Sequence, residues 1–171
     1  MTPGPLDAIR ALGHLSPMLD DIFQQKPGVI LARGVSRHLL GHDFASVEEF
    51  SPAPGLRVDV MALGPRGELW VVECKSCRTD FLSDRKWQNY LPFCDRYFWA
   101  VDCDFPVELL PDDTGLIVAD AFDAEVVRMG PDLKLAPARR KALTLRFARH
   151  AARRLQGARD PGLRLAGDGA D

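Results

Sequence analysis

Two short apolar runs near the middle of the chain each carry an acid where core residues are expected. One is Asp59 in Leu56-Arg57-Val58-Asp59-Val60-Met61; the other is Glu73 in Leu69-Trp70-Val71-Val72-Glu73-Cys74-Lys75. A carboxylate inside such a strand costs burial energy, so it marks a place where chemistry is expected. Gly64-Pro65-Arg66-Gly67 between them reads as a type I turn, with Gly67 supplying the positive φ of a three-residue hairpin loop. Pairing Gly64 with Glu68 and counting outward puts Asp59 directly across from Glu73, with β-carbons roughly 5 Å apart on one face. Two bare carboxylates there repel. The remedies are a shared proton or a bound cation, and hard oxygen ligands at this spacing suit Mg²⁺ or Mn²⁺. Lys75, two residues beyond Glu73, falls on the same face by the two-residue period of a strand.

These side chains need a sheet and helices to hold them. Residues 1–27 read as an N-terminal helical extension, with Leu6, Ile9, Leu12 and Leu15 at helical spacing. Pro27 suits the first turn of a helix running to about Leu40 and closed by Gly41, with Val29, Ala32, Val35 and Leu39 as its apolar stripe. A first strand is expected over 44–50, then a break at Ser51-Pro52-Ala53-Pro54-Gly55 before the hairpin. Thr79 reads as the N-cap of a helix from Asp80 to about Leu91, ended by Pro92, with Asp80, Asp84, Trp87 and Leu91 on one face. Its two aspartates either lie near the basic groups of the site or favour the helix N-terminus through the dipole. Residues 96–101, with Tyr97, Phe98 and Trp99, form a central strand; because the whole run is apolar, its aromatics read as buried rather than base-stacking. Strands over 116–119 and 124–129 are expected to pair. A final helix spans 136–155, with Leu143, Phe147, Ala151 and Leu155 inward and arginines around the rest. The glycines and Pro161 beyond residue 157 signal a flexible tail over 157–171.

A chain of 171 residues with 46% apolar and 27% charged residues suits one domain with a single core. The net charge of −2 does not announce a nucleic-acid binder, but its distribution is uneven. Nine Lys or Arg and no acid lie between Leu133 and Arg159, whereas eight acids and no base lie between Asp102 and Glu125. A basic segment beside an acidic site can attract phosphate while a metal is retained. No apolar stretch is long enough to span a membrane and the N-terminus lacks a signal-peptide profile, so a cytoplasmic location is expected. Cys74 and Cys77 form a C-x2-C, but Cys94 and Cys103 lack zinc-ligand spacing, and Cys74 reads as a small core residue.

The acid and lysine spacing, Asp59 followed by Glu73-Cys74-Lys75, resembles the signature of the PD-(D/E)XK nuclease superfamily. With Asp80-Phe81-Leu82-Ser83-Asp84-Arg85-Lys86-Trp87-Gln88-Asn89-Tyr90-Leu91 and Pro111-Asp112-Asp113-Thr114-Gly115-Leu116-Ile117-Val118-Ala119-Asp120, the sequence resembles the bacterial MmcB family of that superfamily, over roughly residues 28 to 155. The resemblance implies an α/β restriction-endonuclease-like αβββαβ core, a mixed sheet flanked by helices, occupying residues 28–156. It implies a divalent metal, Mg²⁺ or Mn²⁺, held by Asp59, Glu73 and the Cys74 carbonyl, with Lys75 near the attacking water, and DNA repair as the setting. The superfamily often adds an acid from the first core helix, but no Asp or Glu occurs between Asp21 and Asp43. Glu48 or Glu49 is the substitute, and strand alternation lets one of them face the site. Where some relatives carry Gln four residues before a Tyr, Lys86 precedes Tyr90, and a lysine contacts phosphate rather than a base.

DNA is therefore the expected partner, with other repair proteins as further candidates. The candidate backbone contacts are Arg33, Arg37, Lys86, Arg139, Arg140, Arg146, Arg149 and Arg153. Two alternatives stand beside the metal-dependent deoxyribonuclease: a catalytically silent DNA-binding module of a repair complex, and a Lys75–Glu73 ion pair that only stabilises the fold. The sequence leaves the oligomeric state open.

Overall fold

A computed structural model describes residues 24–84 and 86–162. Six strands form one sheet in the order of the chain: β1 (Ala45–Phe50), β2 (Val58–Leu63), β3 (Leu69–Lys75), β4 (Arg96–Val101), β5 (Gly115–Ala119) and β6 (Ala124–Arg128). β1, β2 and β3 pair antiparallel, β3, β4 and β5 parallel, and β6 antiparallel to β5. The sheet is thus mixed and flanked by helices, compatible with the restriction-endonuclease-like core that the motif implies.

The central hairpin follows from its loop. Gly67 takes φ 82°, which a Cβ would oppose, and the Gly64 amide donates to the Glu68 carbonyl at 2.8 Å. The register then runs Leu63 opposite Leu69 to Val60 opposite Val72, and one step further sets Asp59 against Glu73. Alternation sorts the strand residues into two cores. On one face α1 (Pro27–Gly41) lays Leu31, Ala32, Val35 and Leu39 on Val60, Val72, Cys74 and Phe98. On the other, Leu143 and Phe147 of α3 (Pro137–Arg159) and Tyr90 cover Met61, Val71, Tyr97 and Trp99. Asp59, Glu73 and Lys75 belong by parity to this second face, and Cys74 is buried in the first core as expected of a small core residue.

The structure departs from the sequence reading in several places. Val29 is 40% exposed and Leu31 is buried in its place, while Ala32, Val35 and Leu39 keep the expected stripe. No continuous helix spans 80–91. α2 ends after six residues (Arg78–Ser83), with Cys77 rather than Thr79 before its first turn, and Asp84 turns extended at φ −81°, ψ 106°. The chain resumes as a 3-10 segment over Trp87–Phe93 that contains Pro92. Asp80, Asp84, Trp87 and Leu91 therefore share no helix face. α3 continues through Gly157 to Arg159, because one glycine costs a helix only about 1 kcal/mol, whereas Pro161 pushes Asp160 out of the helical region. Leu155 at the far end of its stripe is 60% exposed. The expected extension over 1–27 lies mostly outside the described residues, as does the tail beyond 162.

Asp95, at the foot of β4, ties the second face together. Its carboxylate accepts from the Leu69 amide at 2.8 Å, the Leu135 amide at 3.3 Å and the Arg140 guanidinium at 2.6 and 2.5 Å. One acid thus joins β3, β4, the strap before α3 and α3 itself. On the opposite face, Gly34 lets α1 approach the β5–β6 turn: a Cβ there would sit 2.0 Å from the Asp120 carbonyl oxygen.

Candidate active site

At the open end of the hairpin the two acids replace the backbone ladder. The Asp59 amide donates to Glu73 Oε1 at 3.1 Å, and the Cys74 amide donates to Asp59 Oδ2 at 2.8 Å. Each carboxylate is thus oriented by the other residue's strand through one oxygen, which leaves Asp59 Oδ1 and Glu73 Oε2 for another partner. Because a strand residue directs its N–H and C=O to the same neighbour, the Cys74 carbonyl also points towards β2, on the Asp59 side. Lys75 lies beside them: its Nζ is 4.0 Å from Glu73 Oε2 and 2.8 Å from Asp84 Oδ2, and it approaches the Trp99 ring at 5.8 Å.

The electrostatics follow from burial. Glu73 is 4% exposed, and desolvation, then the neighbouring Asp59 charge, push its carboxyl up to about 8. Burial also raises the Asp59 carboxyl, with the Cys74 amide and Lys75 opposing. Burial works against the Lys75 charge, but the hydrogen bond and charge of Asp84 outweigh it and hold the ammonium above its usual pKa. Asp84 is depressed despite its own desolvation, chiefly by Lys75 and by the Lys86 amide, which donates to Oδ1 at 2.9 Å. Tyr90, whose phenol is pushed up to about 12 by burial and by the charges of Glu73, Asp84 and Asp59, closes the cluster from the 3-10 segment.

The donor set suits a hard divalent cation: two carboxylates that repel each other, each oriented by a backbone amide, with a main-chain carbonyl alongside. Among the described residues no three His, Cys, Asp or Glu side chains are gathered as a metal site, so a cation here would rely on the two acids and the main chain. Of the candidate third acids, Glu48 is turned to the α1 face, where Ser36 donates to it at 3.5 Å. Glu49 lies opposite Asp59, adopts φ 55° and pairs with Arg57 at 2.8 Å. Its charge reaches Asp59, and a left-handed glutamate costs about 1–3 kcal/mol, a strain characteristic of functional positions.

The arginines divide. Arg33 and Arg37 sit on the α1 face, away from the acids, and donate to the carbonyls of Ala121 and Phe122. Arg140 is committed to Asp95 and to the Gly67 carbonyl, at 2.7 Å, so it holds the fold. Arg139 donates to the Pro92 carbonyl at 3.0 Å over the Phe93 ring, and Arg146 to the Ser51 carbonyl at 3.0 Å. Arg149 and Arg153 are exposed on α3, and Lys86 is exposed between α2 and the 3-10 segment. The roles of Asp84 and Asp95 escaped the sequence reading. Asp95, an acid between Cys94 and an otherwise apolar strand, offered a signal. Asp84 reads from sequence only as one of two helical aspartates near basic groups, and its bond to Lys75 depends on the break in that helix.

The family model described as DNA repair protein MmcB-like matches residues 16–162. The chain belongs to that family. The MmcB-like span contains Asp59, Glu73, Lys75 and Asp84, the hairpin that registers them and all of α3. A solved structure described as the SPO1766 protein of unknown function from Silicibacter pomeroyi is 65% identical, with a TM-score of 0.82, over 85% of this chain and 99% of that one. No curated protein matches the chain. Among the described residues, no helix is long and apolar enough to cross a membrane.

Proposed function

We propose that this MmcB-like protein is a metal-dependent phosphodiesterase acting on DNA during repair. The supporting observation is the reciprocal bonding of Asp59 and Glu73 across the hairpin, with one oxygen of each left unbonded and Lys75 on the same face. When bound, Mg²⁺ or Mn²⁺ would polarise a phosphoryl oxygen and lower the pKa of a coordinated water. Asp59, Glu73 and the Cys74 carbonyl would hold it. Glu73 must give up its proton to do so, which makes metal uptake steepen with pH. Lys75, kept charged beside the acids, supplies a donor to a phosphate oxygen where negative charge develops. Arg149, Arg153 and Lys86, exposed on the surface, offer contacts to the DNA backbone.

A second reading has one observation in its favour. The site gathers two acidic ligands rather than three, which suits a DNA-binding repair accessory that binds metal weakly or completes its site within a complex. Incubating the protein with single-stranded, nicked, flapped and mismatched DNAs in Mg²⁺ or Mn²⁺ separates the two. The nuclease reading expects cleavage of at least one substrate, lost in Asp59→Asn. A parent protein that binds Mn²⁺ and DNA yet leaves every substrate intact supports the accessory instead.

A further inference from the structure

We propose that Asp84 is a positioning residue that holds Lys75 off Glu73 and so keeps Glu73 available to a divalent cation. The inference rests on the metal reading above and adds a role for a residue that contributes no ligand of its own. Lys75 Nζ has two acids to choose between, Asp84 Oδ2 at 2.8 Å and Glu73 Oε2 at 4.0 Å. All three side chains are largely buried, with 9%, 12% and 6% of their surface exposed for Lys75, Asp84 and Glu73. In such surroundings an ammonium does not remain without a contact partner. Without Asp84, the acid within reach is Glu73, and the oxygen that Lys75 would engage is Oε2, the one the backbone leaves unbonded.

The local backbone gives Asp84 this position. Residues 80–91 have the composition of one helix, yet α2 ends at Ser83 with Asp84 extended, and a separate 3-10 segment begins at Trp87. The break forfeits helical hydrogen bonds, and Asp84 Oδ1 compensates by accepting from the Lys86 amide at 2.9 Å. Oδ2 is left directed at Lys75. One carboxylate therefore caps the following segment and restrains the lysine at the same time.

The magnitude is sizeable. At an effective dielectric of about 20, closing the Lys75–Glu73 separation from 4.0 Å to about 2.8 Å strengthens that pair by roughly an order of magnitude in equilibrium constant. A cation must then displace the ammonium to reach Glu73, so its affinity falls by a similar factor.

The test is a double-mutant cycle read by Mn²⁺ titration of the purified full chain, followed by the electron paramagnetic resonance of free Mn²⁺. Asp84→Asn is expected to weaken Mn²⁺ binding about tenfold when Lys75 is present, and by less than about threefold in a Lys75→Met background, where nothing can collapse onto Glu73. Asp84→Glu, which keeps the partner charge, is expected to retain most of the affinity and guards against an Asp84→Asn protein that folds poorly. The inference is overturned if Asp84→Asn weakens Mn²⁺ by the same factor in both backgrounds, as simple loss of a nearby charge would do. It is equally overturned if Asp84→Glu binds no better than Asp84→Asn. Failure of the parent itself to bind Mn²⁺ would instead remove the metal reading on which the inference stands.

Discussion

Replacing Glu73 by Gln should stabilise the metal-free protein at neutral and alkaline pH. The carboxyl is raised from 4.5 to about 8, so between those values the folded chain holds a proton that the unfolded chain has released. Folding stability is therefore greatest below the unfolded pKa and declines as pH rises through the folded one, by about 1.4 kcal/mol for each unit in between. Because Asp59 shares the repulsion, we expect a total of about 3 kcal/mol to be lost by pH 8 rather than the full product of shift and slope. The substituted amide would retain the acceptor for the Asp59 backbone N–H without the charge. The assay is urea unfolding in chelator at several pH values from 5.5 to 8.5. Asp84 and Asp95 are both depressed and act below this window. The parent should lose stability with rising pH while Glu73→Gln stays nearly level and overtakes it. Excess Mn²⁺ should reverse the order, since a cation at one hundred times its dissociation constant adds about 2.7 kcal/mol to a protein that binds it only when folded. Parallel pH profiles for parent and variant in chelator would refute the burial and repulsion assigned to Glu73.

Two further expectations concern the scaffold and the DNA track. Asp95→Asn removes the charge that Arg140 faces while keeping the outline of the side chain, and should cost about 2–3 kcal/mol in thermal or urea unfolding. The Asp95 carboxyl is depressed, through its Arg140 and amide partners despite burial, so this contribution is present above the unfolded pKa and lost as pH falls through the folded one; parent and variant should converge in acid. Reversing Arg149 and Arg153 to Glu, which severs no hydrogen bond among the described residues, should weaken binding to unrelated DNA sequences by a common factor. The log–log salt slope should fall by about 0.9 for each phosphate contact removed, measured by fluorescence anisotropy across a salt series.

The hairpin was legible because its information is local. Gly64 to Gly67 sets the loop, the loop sets the register, and the register brings Asp59 to Glu73 with no help from the rest of the chain. The six strands were readable for a related reason: a run such as 96–101 is too apolar and too rich in aromatics to lie anywhere but inside a sheet. What escaped depends on distant partners. Arg140 looks like its arginine neighbours until Asp95, forty-five residues away, is seen to hold it. Arg33 and Arg37 have the spacing of a phosphate contact, but their carbonyl partners lie in the β5–β6 turn on the opposite face.

The broken helix at Asp84 shows how function-bearing geometry can run against local preference. Propensity favours a continuous helix from Asp80 to Leu91, and the cost of interrupting it is a few backbone hydrogen bonds. A buried Lys75 offsets part of that cost, because the interruption gives its ammonium a contact acid other than Glu73, at 2.8 Å. Lys75 follows Glu73 by two residues and so lies on the face that the hairpin register assigns to Asp59. The interruption thus sets Asp84 against Lys75, on the face that carries the acids. Local disagreement between propensity and structure is expected to concentrate at sites of this kind.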